Sequence, residues 1–142
     1  MKRHALMLVL GLPPKELLKN ARPHRMARAA AIKAYRQEAK VVTLEAVGRA
    51  PRSLAAGMPY RHATATATFY LPDRRRRDKH NLPQTLHPVW DGLQVERKST
   101  NPRAGAWIGA GLIVDDQDLD VMPHRVEVDK ARPRVEIVLE LE

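Results

Sequence analysis

Residues 62–71 read HATATATFYL. Thr64, Thr66 and Thr68 alternate with Ala63, Ala65, Ala67 and Phe69, and a period of two with β-branched residues predicts a strand with two unlike faces. A strand needs a sheet, and a sheet needs a covering layer, so this stretch restricts the fold more than any other. The segment leaving its C-terminal end is chemically unusual. Residues 71–81, LPDRRRRDKHN, set four consecutive arginines (Arg74, Arg75, Arg76 and Arg77) between Asp73 and Asp78. Four like charges repel one another, so a compact fold does not gather them for stability. They suit a polyanion, and a carboxylate beside them can hold a divalent cation against a phosphate. The alternative is a solvated basic loop.

The remaining elements follow from periodicity and turn chemistry. Residues 5–12 form a continuous apolar run that stops at Pro13 and Pro14. Lys2 and Arg3 precede it as in a signal peptide, but the run is short and lacks a small-residue cleavage site, so it is expected to be a first strand. Residues 25 to about 47 hold no strong breaker and are expected to form the main helix, with Met26, Ala30, Ala34, Val41 and Leu44 on its core face. Residues 48–57 read as a loop, and residues 81 to about 95 as a second helix. Pro83 suits a first turn, whereas Pro88 requires this helix to start late or to kink. Residues 98–105, KSTNPRAG, read as a polar, basic loop, and the apolar residues 107–114 lead into Asp115 and Asp116. The alternating runs 125–129 and 134–141 read as a terminal hairpin. The order predicts an α+β (mixed α/β) fold: one domain over residues 1–142, with a mixed β-sheet and two main helices.

Composition narrows the partners. The 25 Lys and Arg against 16 Asp and Glu give a formal charge of +9, which favours an anionic partner, nucleic acid before membrane. No segment approaches the ~20 apolar residues of a membrane span, so the expectation is a cytoplasmic protein with no membrane partner. There is no cysteine, which excludes disulfides and a Cys-ligated zinc site. Any metal must be held by carboxylates, imidazoles, carbonyls or water. Phosphodiester cleavage needs ions to activate water and to offset developing charge, and two to four acidic side chains to hold them. Asp78 and the pair Asp115 and Asp116 are the candidates, each at a predicted element end. Their bland readings are a helix-start charge for Asp78 and a simple turn for the pair.

Asp73, the four arginines and Asp78, then His80, Asn81 and Leu82, then Asp91, Gly92 and Leu93, then Asp115 and Asp116, resemble the RusA family of Holliday junction resolvases. The resemblance covers residues 66–122 well, and the start more weakly, through residues 11–14 and 20–24. It implies a small homodimeric α/β endodeoxyribonuclease of phage or prophage type, working in DNA recombination and repair in a bacterial cytoplasm. It implies binding of four-way DNA junctions by shape, and symmetric cuts near the crossover. It implies dependence on Mg²⁺ or Mn²⁺ and no small-molecule cofactor. The family's first catalytic aspartate falls on Asp78, its last on Asp116 with Asp115 beside it, and its motif asparagine on Asn81.

Two positions depart from the pattern. His80 stands where the family has a second aspartate, and a family lysine falls near His87. Imidazole can ligate a metal but brings no negative charge, and it favours Mn²⁺ and heavier ions over Mg²⁺. The expected catalytic residues are Asp78, His80 and Asp116, with Asp115 as a further metal ligand. The expected DNA contacts are Arg74, Arg75, Arg76, Arg77, Lys79, Asn81, His87, Lys98 and Arg103. Competing expectations are a catalytically weak junction-binding protein and a basic nucleic-acid-binding domain without a metal. His24 suits a surface turn or a phosphate contact. Trp90 and Trp107 suit core packing or base stacking. Asp118 and Asp120 suit solvent or an edge of the metal site.

Overall fold

The alternating stretch forms β2, Ala63–Leu71, at the centre of a mixed five-stranded sheet in the computed structural model, which describes residues 3–18, 24–74, 81–98 and 106–142. On one side β2 pairs antiparallel with β7, Arg134–Leu141, which pairs in turn with β1, His4–Leu10. On its other side β2 meets two short parallel strands in succession: β5, Leu119–Val121, and β6, Arg125–Val128. Pro123 lies in the break between them, where a residue without an N–H costs the ladder nothing. The period of two decides the faces. Ala63, Ala65, Ala67, Phe69 and Leu71 are buried with Leu6, Leu8 and Leu10 of β1 and Val135, Ile137, Leu139 and Leu141 of β7. Each fully buried Phe, Leu or Ile contributes roughly 1.5–3 kcal/mol relative to exposure. The threonines of β2 take the opposite face.

The buried face is covered by α1, Arg25–Arg49, and α3, His87–Leu93. The two helices approach closely at Gly92. A Cβ there would stand 2.9 Å from both the Ala39 Cβ and the Arg36 carbonyl oxygen. The buried stripe of α1 is Tyr35, Ala39 and Thr43. Its polar members are satisfied: the Tyr35 hydroxyl donates to the Gly11 carbonyl at 3.0 Å, and Thr43 Oγ1 to the Ala39 carbonyl at 2.6 Å. Burial, with Glu38 nearby, pushes the Tyr35 hydroxyl well above the usual phenol range.

Several expectations need correction. The face of α1 predicted to meet the core points away from it: Met26 is 74% exposed, Val41 43% and Leu44 46%. Small and hydroxylated residues allow the close helix contact at Gly92, so they take the inner face instead. The loop expected over residues 48–57 contains a short helix, α2, Arg52–Ala56, whose buried Leu54 joins the core. Of the two outcomes expected for Pro88, the late start holds: the second helix begins at His87, after a 3-10 turn, Pro83–Leu86, so Pro88 falls in its first turn where no N–H bond is lost. The expected terminal hairpin is split: β6 and β7 both pair with β2, one on each side of it. The apolar run after residue 106 begins with β4, Ala106–Ile108, which among the described residues pairs only with β3, Glu96–Lys98. Among the described residues, no helix is long and apolar enough to cross a membrane.

Candidate metal and DNA site

Asp115 is carried to the surface by a buried segment. Leu112 and Ile113 are fully buried, and backbone bonds hold the segment between two neighbours. Tyr60 N–H donates to the Leu112 carbonyl at 2.8 Å, and Val114 N–H donates to the Tyr60 carbonyl at 3.3 Å. On the other side Val95 N–H donates to the Ile113 carbonyl at 3.1 Å. The chain then turns. Gln117 N–H donates to Asp115 Oδ1 at 3.1 Å and Asp118 N–H to the Asp115 carbonyl at 3.1 Å, which orients the exposed Asp115 carboxylate. Asp116 opens the 3-10 turn Asp116–Asp118 that leads into β5.

β5 lies beside the start of β2, with Ala63 opposite Leu119. The acidic turn is therefore at the Ala63 end of β2. The arginine stretch leaves from the other end, after Leu71, with Asp73 half-buried and Arg74 exposed. A nine-residue strand separates these ends by about 26 Å at ~3.3 Å per residue. Arg75, Arg76, Arg77, Asp78, Lys79, His80 and Arg103 lie outside the described residues. Asn81 is half-buried beside the buried Leu82, and His87 is exposed at the start of α3. Lys98 ends β3, opposite Ala106 in β4.

Each end of β2 carries an ion-pair cluster that sequence reasoning did not find. At the Ala63 end, His62 Nε2 lies 2.8 Å from Asp120 Oδ2, and its Nδ1 lies 3.9 Å from Glu142 Oε2. Glu142 also meets Arg3 at 2.6 Å. Asp120 is thus engaged by His62, a pairing created only by the parallel register of β5 on β2. At the Leu71 end, Arg134 donates to Asp129 at 2.7 Å and to Glu136 at 3.0 Å, with its guanidinium 3.9 Å from the Tyr70 ring centroid. The Arg134 hydrogen bond, with the Arg132 backbone N–H, holds the Asp129 carboxyl below its usual range. Partial desolvation and Glu136 push the Tyr70 hydroxyl up.

The other residues singled out from the sequence divide clearly. Trp90 is buried in the core. His24 caps α1, its Nδ1 accepting from Met26 N–H at 3.2 Å. Asp118 is half-buried in the 3-10 turn. Among the described residues, no three His, Asp or Glu side chains converge as a metal-ligand group. A cation site would draw on Asp78, His80 and Asp116 with Asp115. Three carboxylates and one imidazole are chemically suited to Mn²⁺, and to Mg²⁺ through the oxygens. Comparison with protein-family models and with curated proteins returns no match.

Proposed function

We propose that the protein is a metal-dependent, structure-selective endodeoxyribonuclease that acts as a homodimer on four-way DNA junctions. What supports the reading is the exposed acidic turn at Asp115, anchored by a buried apolar segment, in a domain whose central strand runs into four arginines. An acidic surface turn joined to a buried, hydrogen-bonded segment, in a chain of charge +9, runs against the bulk electrostatics of the molecule. Such local inversion of charge suits cation binding beside a polyanion.

In this reading Asp78 and Asp116 hold one or two divalent ions, with Asp115 and a neutral His80 completing the set. Ions of this kind, when bound, supply an activated water and offset charge on the scissile phosphate. Arg74, Arg75, Arg76, Arg77 and Lys79 neutralise flanking phosphates and carry no base information. Asn81, His87, Lys98 and Arg103 extend the contact with DNA. The reading has one geometric requirement: the carboxylates of Asp78 and Asp116 must meet, although their segments start from opposite ends of β2.

The test is incubation of a labelled four-way junction and a matched linear duplex with Mg²⁺, with Mn²⁺ and with a chelator. Paired, metal-dependent incision of the junction and not of the duplex is expected. Tight junction binding without incision in either metal would favour the second reading, a junction-binding protein whose chemistry is blunted by His80 in the aspartate position. Equal binding to junction and duplex without incision would leave only a general basic nucleic-acid-binding domain.

A further inference from the structure

The face of α1 that points away from its own domain carries a regular pattern. Ala27, Ala30, Ala34, Gln37, Val41 and Leu44 succeed one another at alternating steps of three and four residues, and all are exposed. That alternation averages 3.5 residues, the period of a helix packed lengthwise against another helix. Among the described residues the helix's own domain leaves this face open, and the buried stripe of Tyr35, Ala39 and Thr43 lies on the opposite side. Val41 and Leu44, one turn apart, leave large apolar side chains 43% and 46% exposed, and Met26, 74% exposed, lies about 22 Å away toward the start of the helix at 1.5 Å per residue. With the exposed Ala27, Ala30 and Ala34 between them, they make an apolar seam broken at Gln37.

We infer that this face receives a second copy of the chain, with α1 packed on α1 in parallel about a two-fold axis running along the helices. Charge selects both the occupant and its direction. Lys33 and Glu38 flank the seam on its two sides. In a parallel pair Lys33 of each copy stands beside Glu38 of the other, giving two opposite-charge contacts related by the symmetry axis. In an antiparallel pair Lys33 of each copy stands beside Lys40 of the other, and like charges oppose association. Gln37, the polar residue at the middle of the seam, faces its own copy only in the parallel arrangement. A single polar seam residue fixes register in such pairs. The inference depends on the dimeric state in the proposed function and not on its chemistry.

The chain has no cysteine, so single substitutions give a clean test. Val41→Cys, mildly oxidised at micromolar concentration, should convert mostly to a disulfide-linked dimer, because identical seam positions meet in a parallel pair. Val138→Cys, 42% exposed on the outer face of the sheet, should not cross-link. Separately, Leu44→Glu should raise the dimer dissociation constant at least about a hundredfold by sedimentation, with unchanged circular dichroism because the side chain is exposed in the monomer. Cross-linking of Val138→Cys in place of Val41→Cys would put the second copy on the sheet and overturn the inference. So would cross-linking that requires Ala30→Cys mixed with Val41→Cys, since only an antiparallel pair brings those positions together. A strictly monomeric parent at 100 μM would also overturn it. These readouts need no DNA, so a dimer that fails to cut junctions would count against the proposed activity alone.

Discussion

Leu119 lies opposite Ala63 in parallel register, and this one pairing puts Asp115 and Asp116 at the far end of β2 from Leu71. The arginine stretch and the acidic turn therefore start from opposite ends of the central strand. For the proposed site to assemble, the carboxylates of Asp78 and Asp116 must lie about 4–8 Å apart, as the ~4 Å spacing of two-metal sites and ordinary ligand bond lengths require. A crystal structure grown with Mn²⁺, read by anomalous scattering, checks this. Manganese seated away from either aspartate would dismiss the proposed ligand set.

The arginines should act on affinity and not on sequence choice. Replacing Arg75 and Arg76 with Ala removes two phosphate contacts. The slope of log affinity against log salt should then flatten by about 1.8 on duplex arms, at ~0.9 per contact. Fluorescence anisotropy across a salt series measures the slope. An unchanged slope would mean that these two side chains do not touch the backbone of DNA.

His80 should set the metal preference. Ligation needs the neutral imidazole, so protons and metal compete for the ring. Cleavage should fall as pH is lowered, and saturating Mn²⁺ should move the midpoint lower by competing with the proton. His80→Asp adds a negative charge and an oxygen ligand, so it should shift the preference toward Mg²⁺. His80→Ala should slow cleavage by roughly a hundredfold. Rate profiles from pH 5.5 to 8.5 in each metal decide the matter; a fully active His80→Ala would make the residue a bystander.

Stability should depend on Arg134 in a pH-dependent way. Arg134 holds the Asp129 carboxyl below its ordinary value of 3.8. A carboxylate whose folded value is depressed contributes stability above the unfolded value, and that contribution is lost as pH falls through the folded one. Arg134→Gln should therefore lower the urea midpoint at pH 7. The gap from the parent should narrow below about pH 4, as Asp129 becomes protonated. Urea titrations at pH 7 and pH 3 measure the two gaps, and an equal gap at both would show that packing on Tyr70 dominates.

Periodicity encodes local geometry, and that is the part of the fold legible in the sequence. The alternation over β2 and the unbroken run of α1 both form elements close to their expected bounds. The buried face of α1 was not legible. Tyr35 and Thr43 look polar until their hydroxyls find carbonyl partners, and Ala39 is inside because Gly92 lets α3 come close. The neighbours of β6 and β7 were not legible either. Alternation assigns faces but not partners, and β2 supplies both edges that these strands use. Of the candidate site, Asp115 stands at an exposed turn after an apolar run, a local property that the sequence displays. The His62–Asp120 pair depends on register between segments 58 residues apart, and no local pattern announces it.

The central claim is that one dimer makes two coordinated, metal-dependent cuts at a DNA four-way junction. A supercoiled plasmid with an extruded cruciform tests this in a single reaction, because paired cuts within one bound complex give linear DNA directly, while unpaired cuts give nicked circles. Linear product is expected in Mn²⁺ or Mg²⁺ and none with chelator. For Asp116→Asn the expected result is a loss of at least roughly a thousandfold, about 4 kcal/mol of transition-state stabilisation, with junction binding retained. Plasmid that stays supercoiled in both metals, or linear product made equally well by Asp116→Asn, would contradict the claim.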